Sequence, residues 1–141
     1  MSARSWSVIV AGALGLGVLG AAADDVSQLQ LGKQEYLDKC AVCHGESGLG
    51  AGDSTEALLR KPGDLTSYAR RNGGAFPTQL AWATIDGRTL DEQAVRNREM
   101  PLFGQAYRSE AVDHPTYKTP EAYVSERIDA LVSYVSTLQM R

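Results

Sequence analysis

The run Cys40-Ala41-Val42-Cys43-His44 constrains this chain more than any other stretch, because it sets two thiols three residues apart and an imidazole directly after the second. On a helix, residues at that spacing share a face. Both sulfurs can then form thioethers to the two vinyl groups on one porphyrin edge, and the adjoining imidazole lies beneath the ring with a nitrogen for the iron. C-x-x-C-H is the signature of covalent haem attachment. Three other uses of a cysteine pair fit less well. A thioredoxin-like dithiol belongs at the end of a strand in a βαβ unit, and nothing here alternates strand and helix. A zinc site needs four ligands, whereas the chain has two cysteines and two histidines, with His114 far from the motif. A structural disulfide would leave His44 unexplained. The expectation is one covalent haem c with its iron, bound through Cys40 and Cys43, with His44 as a metal ligand.

Helices are expected on both flanks. Leu29, Gly32, Tyr36, Leu37 and Cys40 recur every three or four residues and mark one face of a helix ending in the motif. Gly32 on that face permits close backbone approach, and Asp24, Asp25 or Ser27 is a candidate cap for its start. Near the other end, Thr119 is a good cap and Pro120 suits the first helical position. Val124, Ile128, Leu131, Val132, Val135 and Leu138 then form an apolar stripe that needs a covering surface.

The first residues have a different character. Arg4 precedes an uncharged run from Ser5 to Gly20, then Ala21-Ala22-Ala23 and the acidic pair Asp24-Asp25. A positive start, an apolar middle and small residues at a cut site are the layout of a secretory signal peptide, which predicts cleavage after Ala23 and a mature domain over 24–141. The alternative, a retained membrane anchor, is opposed by the shortness of the run against the roughly 18 to 20 apolar residues a span needs. Export predicts a periplasmic location. Cleavage removes Arg4 and takes the formal net charge from -3 to about -4. That mildly acidic balance argues against a nucleic-acid partner, which would need a basic surface.

The iron's sixth position is the next question. Met100 sits in Arg98-Glu99-Met100-Pro101-Leu102-Phe103-Gly104, where proline and glycine predict a loop able to bring a thioether over the distal face. Methionine opposite histidine favours ferrous iron and raises the potential. Met140, next to the C-terminus, is expected to fray. His114, in Asp113-His114-Pro115, is the competing ligand, and a solvated surface histidine is the simpler reading.

A helix ending in C-x-x-C-H, a downstream Met-Pro loop and a closing amphipathic helix resemble a monohaem class I cytochrome c of bacterial type over roughly residues 29 to 138. The resemblance implies an all-α cytochrome c fold, with the first and last helices crossing at Gly32 and Tyr36 against Leu131 and Tyr134. It also implies a backbone carbonyl, often that of a proline, accepting the proton on the free nitrogen of the proximal histidine. In the glycine-rich loop Gly45–Asp53, Asp53 stands where that proline is expected, so the acceptor is left open. Lys61-Pro62-Gly63-Asp64, Gly73-Gly74-Ala75-Phe76-Pro77 and Ile85-Asp86-Gly87-Arg88 mark turns between short helices. Arg60, Lys61, Arg70, Arg71 and Arg88 are candidate propionate partners, and Tyr68 and Trp82 are candidates to pack on the porphyrin. Gln105 to Lys118 reads as a long connection, either part of a docking surface or only an ordered wrap.

The expected function is periplasmic electron transfer between protein partners, with no small-molecule substrate and no enzymatic step. Two alternatives stand beside it. One is an electron-transfer subunit of a periplasmic dehydrogenase, such as a sulfite-oxidising complex. The other is a haem enzyme or gas-binding protein with an open sixth site.

Overall fold

The computed structural model describes residues 18–88, 92–96 and 98–140, so most of the expected leader, residues 1–17, lies outside the described residues. Those described form seven α-helices and two short 3-10 turns, with no strand among them: α1 (Val18–Lys39), α2 (Ala41–His44), α3 (Tyr68–Arg71), α4 (Thr78–Asp86), α5 (Glu92–Arg96), α6 (Phe103–Glu110) and α7 (Pro120–Thr137). The all-α expectation is met. Among the described residues, no helix is long and apolar enough to cross a membrane.

α1 and α7 make the most extensive helix pairing, and they cross at Gly32. A Cβ at that position would lie 1.9 Å from the Ala130 carbonyl oxygen and 2.9 Å from Tyr134 Cβ. Only a glycine lets the two backbones approach so closely. One turn on, Tyr36 is fully buried, its ring 5.3 Å from that of Tyr134 and its hydroxyl donating to the Gly45 carbonyl at 2.7 Å. Leu131 is buried at the same crossing. On α7, Thr119 caps the start by accepting the Ala122 N–H, and Val124, Ile128, Leu131, Val132 and Val135 are buried along the expected stripe.

Three expectations are corrected. α1 begins six residues before Asp24, so Asp24, Asp25 and Ser27 lie inside it; Ser27 Oγ instead donates to the Asp24 carbonyl at 2.8 Å. The alanines at 21–23 are strong helix formers and carry the helix through the acidic pair. The stretch from Gln105 to Lys118 is not a plain loop, because α6 occupies its first part and buries Phe103 and Tyr107 a turn apart, followed by Ala111. The C-terminal end is also pinned. Gln139 accepts from the Ala69 N–H and donates to the Leu65 carbonyl, both at 2.8 Å, and the Met140 N–H donates to the Thr66 carbonyl.

Behind the motif, α1, α6 and α7 share a charged cluster. Glu35, 8 % exposed, accepts from Arg127 at 3.0 Å and from the Tyr107 hydroxyl at 2.7 Å, and lies 3.2 Å from Lys39 Nζ. Lys39 also pairs with Glu110 at 2.9 Å. Burial lifts the phenols of Tyr36 and Tyr107 far above their ordinary value of 10.0, and the bond to Glu35 adds to it for Tyr107. For Lys39, burial pulls its pKa down from 10.5, but bonds to Glu110 and Glu35 outweigh it and the net direction is up. As pH rises past these ordinary values, the unfolded chain releases those protons before the fold does, so stability is intact below and lost above. The urea midpoint at about pH 11 should therefore fall clearly below that at about pH 8, and an equal midpoint would refute the assignment.

Candidate functional site

Cys40, Cys43, His44 and Met100 all line one cavity of about 380 Å³, walled by Leu65, Ile85, Phe103, Leu131 and Val135 among others. Met100 lies 56 positions beyond His44 in sequence, and the fold brings them together. The motif is held by the end of α1: Cys40 N–H bonds the Tyr36 carbonyl at 2.9 Å and His44 N–H the Cys40 carbonyl at 2.9 Å. Gly45, at φ +75°, ends α2. The following loop then folds back over the motif, with Gly50 N–H on the His44 carbonyl (2.8 Å), Gly52 N–H on the Cys43 carbonyl (3.1 Å) and Thr55 Oγ1 on the same carbonyl (3.0 Å). A Cβ on Gly52 would meet the Ala41 and Val42 carbonyl oxygens at 2.4 Å, so this position of the glycine-rich loop requires glycine.

His44 Nδ1 lies 3.2 Å from the Gly63 carbonyl oxygen. A carbonyl only accepts, so Nδ1 carries the proton and Nε2 keeps its lone pair. Burial pushes the His44 pKa down, against the opposing effect of the Gly63 bond, and the ring is held neutral, the form that ligates a metal. The carbonyl is thus ten residues beyond Asp53, where the resemblance led us to look. Pro62-Gly63 was the available signal, concealed by a longer loop. Asp64 fixes that turn by accepting from Thr66 N–H (2.8 Å), Thr66 Oγ1 (2.6 Å) and Ser67 Oγ (2.9 Å), while Arg71 Nη2 donates to the Asp64 carbonyl at 2.9 Å. Before any haem is attached, the Cys40 thiol is pushed up to about 12 by burial first and by the Glu35 charge second.

Of the basic candidates, Arg60 and Arg71 line the cavity, as does Lys39, which the sequence did not single out. Lys61 and Arg70 are exposed and lie outside its lining. Arg88 is committed elsewhere, to Asp86 at 2.8 Å and Glu121 at 3.0 Å. Tyr68 lines the cavity; Trp82 does not, and its indole N–H donates to Asp129 at 2.9 Å, tying α4 to α7. His114 is exposed, stacked on Tyr123 at 4.8 Å and away from the cavity, as is Met140. Arg98 and Glu99 line the cavity too, and their roles were not visible in the sequence.

An apolar cavity offering two thiols on one helical turn, a neutral imidazole with a free Nε2 and a thioether fits a haem by shape and by donor set. Among the described residues the shell around this site is all helical, which places the chain in the class of small helical haem-binding proteins. The sequence profile of the cytochrome c family matches residues 29–139, and the chain belongs to that family, whose members carry haem c with its iron and pass electrons to redox partners. Searches of curated proteins and of solved structures returned no match.

Proposed function

We propose that this protein is a monohaem, class I cytochrome c of a bacterial periplasm, which carries one electron at a time between protein partners. The observation that carries the reading is the meeting of Cys40, Cys43, His44 and Met100 on a single apolar cavity. When bound, the haem iron supplies a one-electron ferric/ferrous couple. The chain's own residues do the rest. Cys40 and Cys43 would hold the porphyrin edge through thioethers, and His44 Nε2 would ligate the iron, with Gly63 keeping the proton on Nδ1. Met100 would hold the iron together with His44, and the apolar walls Phe103, Ile85 and Leu131 would exclude water from the site. With His44 and Met100 both available to hold the iron, the site would exchange an electron without binding a substrate. The reading of residues 1–23 as a cleaved leader supports export, because its order of charge, apolar run and small residues is that of a secretory signal.

A visible and near-infrared spectrum with a redox titration tests this. The weak near-infrared methionine-to-ferric-haem band should be present and should vanish in Met100→Ala, whose potential should fall and whose reduced form should bind carbon monoxide. Ready carbon monoxide binding by the reduced wild type would sink the electron-carrier reading.

A further inference from the structure

The loop that carries Met100 has little secondary structure of its own, yet its two preceding residues tie it to separate walls of the cavity. Arg98 Nε donates to the Met100 carbonyl at 2.7 Å, and Nη2 to the Thr84 carbonyl at 2.5 Å and the Pro101 carbonyl at 3.2 Å. Thr84 belongs to α4, so this one guanidinium fastens the backbone on both sides of the Met100–Pro101 peptide to a packed helix. The Glu99 carboxylate engages a different segment. It accepts the Leu59 N–H at 2.6 Å and the Arg60 N–H at 3.0 Å, joining the Met100 loop to the 58–60 segment across 40 residues of sequence.

Such bonds are charge-assisted, with one ionised partner each, and they replace the backbone ladder that a Pro-containing loop lacks. A thioether is a neutral ligand on a flexible stem, so its hold on a metal depends on how firmly its backbone is placed. We propose that Arg98 and Glu99 are positioning residues that brace the Met100 loop from two sides and keep the sixth coordination position shut against outside ligands. The inference rests on reading Met100 as that ligand. Neither residue touches the iron; both act through the position of the Met100 backbone.

Titration of the ferric holoprotein with imidazole, which must displace Met100, tests the brace, followed by loss of the near-infrared band. Arg98→Lys keeps the charge but not the fork, and Glu99→Gln keeps the shape but replaces one accepting oxygen with a donor that faces an N–H. Each should show the band without imidazole and bind imidazole about tenfold tighter than wild type, the worth of one charge-assisted bond. Arg108→Gln, which removes a surface guanidinium paired with Glu121, should titrate as wild type. Wild-type imidazole affinity in both loop variants would overturn the brace while leaving Met100 ligation standing. Equal tightening in Arg108→Gln would overturn it too, because any lost surface guanidinium would then suffice. Absence of the near-infrared band in the wild type itself would overturn the ligation reading, and the brace with it.

Discussion

Gly32→Ala is expected to destabilise the protein by about 3 kcal/mol or more, a fall in Tm on the order of 10 °C. Two opposing effects must be weighed. Alanine is the better helix former, by roughly 1 kcal/mol over glycine in a helix interior. Against that, the new Cβ would sit 1.9 Å from the Ala130 carbonyl oxygen. That obstacle is backbone, not a side chain able to swing away, so α1 and α7 must move apart. Separation would loosen the packing of Tyr36, Leu131 and Val135 at the same crossing, all of which line the cavity. The steric term is the larger and sets the sign. Thermal unfolding of the holoprotein, monitored by far-ultraviolet circular dichroism, measures it, and an unchanged or higher Tm would contradict the close crossing. Because Cys40 directly follows the end of α1, eight positions beyond Gly32, weaker haem retention during expression should accompany the lower Tm.

Glu35→Ala is expected to cost about 3–5 kcal/mol, the range for breaking a buried ion pair by removing one partner. Glu35 balances Arg127, whose side chain is only 17 % exposed and whose buried Nε has no hydrogen-bond partner among the described residues. Removing the carboxylate leaves that guanidinium charged in a cramped setting and deprives the Tyr107 hydroxyl of its acceptor. Lys39 has a second partner in Glu110 and should survive the change. Glu110→Ala provides the contrast. Its side chain is 40 % exposed, and solvent screening limits such a pair to roughly 0–1 kcal/mol. Urea unfolding of both variants should give a far larger midpoint shift for Glu35→Ala at a similar slope. If Glu110→Ala proves as damaging as Glu35→Ala, the cluster's weight does not rest on burial.

The two variants probe parts of the molecule that differed in how legible they were. The crossing at Gly32 and Tyr36 could be named in advance from helical spacing and family resemblance together, since both depend on residues close in sequence. The Glu35 cluster could not. Glu35, Lys39, Tyr107, Glu110 and Arg127 come from three helices, and each alone reads as an ordinary polar or aromatic residue on an amphipathic face. The partner of His44 stayed open for a related reason. Its position depends on loop length, and the Asp64 turn that sets that length is built from hydrogen bonds among Thr66, Ser67 and Arg71. α6 went unread because Pro101 and Gly104 resemble loop punctuation. Gly104 is in fact required by contact, since a Cβ there would lie 2.1 Å from a carboxylate oxygen of buried Asp86.

By itself, the sequence determined the helical class, the first and last helices, the thiols with their histidine and the methionine that could answer them. These are readable because they depend on short spacings: a step of three positions from Cys40 to Cys43, one more to His44, and three- and four-residue steps along each helix. Tertiary structure alone decided that Met100 lines the same cavity as His44, that Gly63 supplies the carbonyl, and that Arg98 and Glu99 tie the loop down. Each of these joins segments far apart in the chain through hydrogen bonds or packing. Local propensity carries no information about such pairs, since they form only when the α1–α7 crossing has fixed where each loop must run.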